Sequence, residues 1–263
     1  MVETRVFFFL GEYTGEEMKN IRDVTLVAPP WQTAEANPYP PLGIAYIAAV
    51  LERNGYRVSL FDLSLEPEKS FDRKVQDVID SKPQLLGISC MTNTYGNAMR
   101  IARTVKNRTG IPIVMGGPHP SIFPEKTLAD EAVDFVICGE GEYTLLELLE
   151  SDTDGYAVIS GLGFKEADGI RINTPRDYIG DLDALPFPAR HFLKLDAYRL
   201  TAPDGEPMAT VMTSRGCPYS CSYCFKGMFG NRYRARSALN ILAEVYELRN
   251  RYGYRNFYFI DDL

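Results

Sequence analysis

Short apolar runs, each followed by a stretch of helical periodicity, set the pattern of residues 23–150. The runs are Val24-Thr25-Leu26-Val27-Ala28, Arg57-Val58-Ser59-Leu60-Phe61-Asp62, Leu85-Leu86-Gly87-Ile88-Ser89, Pro112-Ile113-Val114-Met115-Gly116-Gly117 and Phe135-Val136-Ile137-Cys138. Most are continuously apolar, as strands buried on both faces must be. Leu42 to Leu51 reads as a helix packed on a sheet and ended by Asn54-Gly55. Lys69 to Ser81 is amphipathic, with Val75, Val78 and Ile79 on one face. Asn97 to Arg108 turns Met99, Ile101, Ala102 and Val105 inward, and Tyr143 to Leu149 is a further helix. Strands alternating with helices predict an α/β domain over residues 23–150, a doubly wound parallel sheet of flavodoxin-like type. Residues 1–22 are an extension in which Val6–Leu10 reads either as a short extra strand or as part of a leader.

On such sheets ligands bind beyond the carboxyl ends of the strands. Those ends carry Ala28-Pro29-Pro30, Asp62-Leu63-Ser64, Ser89-Cys90-Met91-Thr92, Gly116-Gly117-Pro118-His119 and Gly139-Glu140-Gly141-Glu142. Small residues there let a bulky ligand approach the backbone closely. No G-x-G-x-x-G follows the first run and no G-x4-G-K-[ST] occurs, which argues against a dinucleotide or P-loop site.

From Ser151 to Pro207 the rhythm is lost. Glycines interrupt short runs such as Ala157-Val158-Ile159 and Gly169-Ile170-Arg171-Ile172, which read as small hairpins. Asp181 to Ala189 is an extended connector fixed by Pro186 and Pro188. Strand–helix alternation then resumes over 208–263. Met208 to Ser214 is a strand. Ser237 to Tyr252 is a helix capped by Ser237, ended by Gly253 and striped by Ile241, Leu242, Val245 and Leu248. Asn256 to Ile260 is a second strand, with Asp261-Asp262 at its end.

The chemistry concentrates between those two strands, in Cys217-Pro218-Tyr219-Ser220-Cys221-Ser222-Tyr223-Cys224. Thiolates bind soft metals and iron–sulfur clusters. A closed zinc site wants four ligands, and no Cys or His lies between Phe225 and Leu263. Three thiolates leave one corner of a four-iron cluster open to a substrate or cofactor. A partial zinc knuckle is the plainer alternative.

This stretch resembles the signature of the radical S-adenosylmethionine enzymes, including the aromatic Tyr223 before the last cysteine. The resemblance implies that Cys217, Cys221 and Cys224 hold a [4Fe-4S] cluster. Its fourth iron would take the amino and carboxylate groups of S-adenosylmethionine, with Tyr223 near the adenine and Asp261 and Asp262 facing that molecule. One electron from the cluster would then generate a 5′-deoxyadenosyl radical. The first domain is similar to the cobalamin-binding domain found upstream of many such enzymes. That likeness implies that Ser89 and Met91, in the place of a Ser-x-Leu, and Gly116-Gly117 line the channel for the nucleotide tail. Gly139, Glu140 and Gly141 also look like that subgroup. The D-x-H-x-x-G motif that supplies a lower axial histidine is missing, and His119 follows the fourth strand rather than the first. Bound cobalamin is therefore expected without a histidine on cobalt. His191 is expected to pack or cap.

By this resemblance the parent protein is a cobalamin-dependent radical S-adenosylmethionine enzyme, of the group that includes the magnesium-protoporphyrin ester cyclases and radical methyltransferases. Its substrate would be a small molecule, and its reductant a protein such as flavodoxin or ferredoxin. A barrel of that family needs more strand–helix units than 208–263 supplies, so this is expected to be an incomplete radical domain in a piece of a longer protein that is itself inactive. The rivals are a corrinoid-binding or redox-sensing module without catalysis and a tRNA methylthiotransferase. The latter carries additional cysteines in its first domain, where this chain has Cys90 and Cys138. A net charge of −7 disfavours a nucleic-acid partner. No run approaches the roughly 18 apolar residues of a membrane span. Five cysteines, three in one cluster, fit a reducing cytoplasm.

Overall fold

The computed structural model describes residue 13 and residues 18–31, 39–151 and 153–263. The expected strand at Val6–Leu10 lies outside them. The five apolar runs form β1 (Asp23–Ala28), β2 (Arg57–Asp62), β3 (Leu85–Ser89), β4 (Ile113–Gly116) and β5 (Phe135–Ile137). They pair in parallel in the order β2-β1-β3-β4-β5. This is the flavodoxin-like order, in which the connections reverse direction between β1 and β3 and open a crevice there.

Helices cover both faces: α1 (Leu42–Arg53), α2 (Phe71–Asp80), α3 (Tyr95–Thr109), α4 (Pro118–Ile122), α5 (Pro124–Leu128) and α6 (Glu142–Glu150). Strand side chains alternate between two cores, as the pleat requires. Val24, Leu26, Leu85, Val114, Phe135 and Ile137 pack toward Ala48, Leu51, Leu145 and Leu148 of α1 and α6. Val27, Leu86, Ile88, Ile113, Met115 and Val136 pack toward Val75, Val78, Ile101 and Val105 of α2 and α3. Continuous apolar runs were thus needed because both faces are dry.

Three features depart from the sequence expectations. Residues 118–128 are helical, in two short pieces that start at Pro118 and Pro124; proline suits the first helical turn but resembles loop punctuation in sequence. Ala157-Val158 falls in a 3-10 turn rather than a strand. A hairpin, β6 (Leu162–Glu166) with β7 (Gly169–Ile172), joins the main sheet, with β6 antiparallel to β5. The sheet therefore has seven strands and runs to Ile172, past the end of the helix–strand alternation.

The connector returns over α1. Ile179, Leu182 and Leu185 pack with Leu42, Tyr46 and Val50 of α1 and with Met212. Beyond it, β8 (Met208–Val211) and β11 (Asn256–Phe259) pair in parallel through α7 (Ala238–Tyr252), a strand–helix–strand unit. The Ser237 hydroxyl accepts from the Asn240 amide and Gly253 closes α7 at φ +78°. Leu242 faces outward, contrary to the expected stripe, and Glu244 is turned inward instead.

Leu86→Ala removes a fully buried side chain from the second core and should lower the unfolding free energy by about 2–5 kcal/mol. Leu239→Ala, at a position 80% exposed, should change it by less than about 0.5 kcal/mol. Urea unfolding followed by circular dichroism tests the contrast.

Candidate cofactor site

A cavity of about 90 Å³ opens at the carboxyl ends of β1, β3, β4 and β5, between the sheet and helices α1 and α6. The sheet contributes Leu26, Ile88, Val114 and Ile137; α1 contributes Ile44 and Ile47. Ser89, Gly116, Gly117, Gly139, Glu140 and Gly141, six of the seven residues expected to meet a corrinoid, line it together. The seventh, Met91, does not; it is 40% exposed beyond the end of β3. The largely apolar lining with a few convergent polar groups is that of an organic-ligand site.

The glycines do two different jobs. Gly117 has φ +91°, and a Cβ there would lie 2.8 Å from the Cys90 carbonyl oxygen and 2.9 Å from Ser89 Oγ, so it lets the turn after β4 close on β3. A Cβ on Gly116 or Gly139 would meet nothing closer than Ile137 O at 3.8 Å or Gly227 O at 3.7 Å. Those two positions leave room on the cavity side, a cradle that a larger residue would fill. Ser121 ties the rim together, donating to Gly117 O at 2.9 Å and accepting from the Gly139 amide at 3.0 Å.

The far wall comes from the second unit: Met212, Arg215, Met228 and Phe229. Residues 216–233 form an excursion closed at its base by the antiparallel pair β9 (Ser214–Arg215) and β10 (Arg234–Ala235). Cys217 is half-buried, Cys221 and Cys224 are exposed, and Tyr223 is 90% exposed. Among the described residues, no three His, Cys, Asp or Glu side chains converge to hold a metal. The donor chemistry nevertheless fits an iron–sulfur cluster: between Gly216 and Gly227 the thiols are the only metal-binding side chains, and two face solvent.

Asp261 and Asp262 shape the entry to this excursion. Asp261 Oδ1 accepts from the Thr213 and Ser214 amides at 2.7 and 2.9 Å, and its Oδ2 accepts from the Thr213 hydroxyl. Asp262 Oδ2 accepts from the Gly216 amide at 2.8 Å. Both carboxylates hold backbone leading into the cysteines, where sequence reasoning expected them to face a bound molecule. Gly216 has φ +81° and packs against the Arg232 and Phe229 carbonyls, which leaves no space for a side chain.

Glu140 is likewise occupied. Arg215 donates to Glu140 Oε1 and Glu142 Oε1, each at 2.7 Å, and Arg234 contacts both Glu140 oxygens at 3.1 Å. The Ile179 amide also donates to Glu140, at 2.8 Å. All four side chains are at most 6% exposed. Burial opposes the charge on Arg215, but Glu142 and Glu140 outweigh it and hold the guanidinium protonated well above its ordinary range. A second buried cluster lies nearby, where Glu244 meets Arg190 at 2.6 Å and also Arg236. Tyr46 sits among these groups; burial first, then Glu244, pushes its hydroxyl up to about 12. None of the arginines was singled out from sequence. The available signal was an Arg beside the first cysteine loop residue and a Glu-x-Glu after a strand.

No histidine lines the cavity. His119 is buried, stacked on Tyr95 at 3.9 Å, with Nδ1 3.1 Å from Thr92 Oγ1. Burial, then Lys126, lowers its pKa and keeps the ring neutral. His191 contacts Glu52 at 3.0 Å on the surface.

The fold and site define a doubly wound domain with a glycine-lined cavity, closed by a cysteine-bearing strand–helix–strand unit. Residues 35–149 match the B12 binding domain family. The chain is 34% identical over 251 residues to an uncharacterized methyltransferase of Pyrococcus horikoshii, covering 92% of this chain and 54% of that protein. It is 29% identical to the cytidylyl-2-hydroxyethylphosphonate methyltransferase of Streptomyces wedmorensis, covering 84% of this chain and 51% of that one. Among solved structures it resembles the radical S-adenosylmethionine methyltransferase TsrM of Kitasatospora setae, with cobalamin and a [4Fe-4S] cluster bound. There the TM-score is 0.69 at 21% identity, over 92% of this chain and 48% of that one. It also resembles the cobalamin-dependent S-adenosylmethionine radical enzyme OxsB with aqua-cobalamin bound, at TM-score 0.73 and 20% identity, over 93% of this chain and 34% of that one. The chain thus carries a B12 binding domain and shares its fold with solved cobalamin-dependent radical S-adenosylmethionine enzymes. It spans about half the length of the curated relatives just described.

Burial pushes the Cys90 thiol up to about 12 and that of Cys138 to about 11. Both should remain protonated and unreactive at about pH 8.5 in the native chain, while exposed Cys221 and Cys224 alkylate. Because folding raises these two pKa values, their contribution is present below about pH 9 and lost as pH rises toward 12. Iodoacetamide labelling mapped by mass spectrometry, native against urea-unfolded, checks the site selectivity.

Proposed function

We propose that this chain is the cofactor-binding part of a cobalamin-dependent radical S-adenosylmethionine enzyme that transfers a methyl group to a small molecule in the cytoplasm. The observation that carries this reading is the cavity lined from both units: by the strand-end glycines of the first and by Arg215, Met228 and Phe229, which flank the three cysteines in sequence, of the second. The relatives include methyltransferases and the anaerobic magnesium-protoporphyrin IX monomethyl ester cyclase of Rubrivivax gelatinosus. Methyl transfer is the outcome named for the Pyrococcus and Streptomyces relatives.

Ser89, Gly116, Gly117, Gly139 and Gly141 would receive the corrinoid, and Cys217, Cys221 and Cys224 would hold the cluster. When bound, the cluster supplies an electron to S-adenosylmethionine and the corrinoid carries a methyl group. The chain's own residues bind, orient and shield. The apolar side chains of α1, α6 and the sheet exclude water from the pocket, and Arg215 and Phe229 close it toward the cysteines. Cobalt would lack a histidine lower ligand, since His119 is committed to Tyr95 and Thr92. Tyr223 stands free to lie against an adenine, and Asp261 and Asp262 act by fixing the loop backbone. A flavodoxin or ferredoxin would deliver the electron at the exposed face of the loop.

Anaerobic reconstitution with iron, sulfide and hydroxocobalamin, then desalting, tests the reading. About four irons per chain and one retained corrinoid are expected, with the iron lost in Cys217→Ala, Cys221→Ala and Cys224→Ala. Zinc in place of an oxygen-sensitive cluster would sink the radical assignment. Iron without corrinoid would sink the cobalamin assignment.

A further inference from the structure

We infer that Glu140 and Glu142 are positioning residues: they fasten the base of the cysteine loop to the rim of the corrinoid cavity, so that filling the cavity steadies the loop. This rests on the function proposed above only for the identity of the ligand; the fastening itself needs no cofactor.

The geometry is specific. Arg215 and Arg234 face each other as partners in the β9–β10 pair, one at each foot of residues 216–233. Glu140 holds both feet at once, and Glu142 holds Arg215 by its second nitrogen. Arg234 also donates to the Phe229 carbonyl at 2.8 Å and the Ile179 carbonyl at 2.5 Å, tying in the connector. Arg215 lies near the Tyr46 and Phe229 rings, 5.2 and 5.1 Å from their centroids. Glu140, Glu142 and Arg215 are themselves cavity-lining. A ligand that packs against this wall therefore presses on the ion pairs, not on a loop hinged elsewhere. A guanidinium with two carboxylate partners also fixes direction, which a single lysine ammonium would not.

Hydrogen exchange read by mass spectrometry on the whole chain decides the matter, with and without hydroxocobalamin. The variants are Glu140→Gln and Glu142→Gln, which keep shape and remove charge. Glu147→Gln is the control, because Glu147 lies on the same helix as Glu142 but its pair with Arg176 is partly exposed. In Glu140→Gln, exchange across 216–233 should rise about tenfold with β1 to β5 unchanged, a coupling of the size that discrete packed networks carry. Glu142→Gln should give a smaller rise and the control none. Hydroxocobalamin should protect 216–233 in the wild type, and that protection should fall away in Glu140→Gln while the corrinoid still binds, as its visible spectrum shows. A purely structural role would not separate binding from protection in this way. Unchanged loop exchange in Glu140→Gln, or a rise spread evenly over the sheet, overturns the fastening. Equal corrinoid-induced protection in wild type and Glu140→Gln overturns the coupling. If the wild type binds no corrinoid, the coupling is refuted with the cobalamin assignment, and the ligand-free exchange still decides the fastening.

Discussion

The contact between the two units depends on a small set of charges taken out of water. Arg215 and Arg234 project from the second unit into Glu140 and Glu142 of the first, and all are nearly inaccessible. Such pairs add little over a well-packed apolar contact, yet removing one member leaves a buried charge unmatched and costs about 3–5 kcal/mol. They therefore act less as adhesive than as a requirement: the units fit together only in the arrangement that gives Arg215 and Arg234 their carboxylate partners. The apolar patch around Tyr46, Leu182 and Met212 supplies area, and the ions supply orientation.

That orientation explains the division of labour at the carboxyl ends of the strands. β1 and β3 diverge in their connections and leave a crevice, as the topology dictates. Glycines after β4 and β5 keep it open, and acidic residues one step further on reach out of it to the second unit. Asp261 and Asp262 do the corresponding work from the other side, gripping the backbone that enters the cysteine loop. Carboxylates on both sides of the junction thus serve as scaffolding, leaving the cavity itself apolar.

The sheet was legible because a strand buried on both faces has no polar positions to confuse its reading. Val24 to Val27 and Leu85 to Ile88 left little choice. The glycine turns and the cysteines were legible because few other residues tolerate those conformations or perform that chemistry. The helices at 118–128 were not, since Pro118, Pro120 and Pro124 look like loop residues until a first turn is seen to form around them. Nor were the buried ions. Periodicity treats Glu244, Arg234 and Arg236 as solvent-facing, and only tertiary contact reveals that each has a partner inside. Asp261 and Asp262 were noticed, but their backbone partners were not, because sequence adjacency to a strand end says nothing about which amides lie across from it.

The capping of Thr213, Ser214 and Gly216 by residues that follow them at 261 and 262 has a consequence for the order of events during synthesis. The first domain is complete in the nascent chain well before these acids emerge, and domains tend to fold as they appear. The cysteine segment, already exposed, must wait for β11 to pair beside β8 before its entry acquires a shape. Until then three thiols share a pliable loop. The sheet side of the cavity is thereby in place before Met212, Arg215, Met228 and Phe229 close it from the other side.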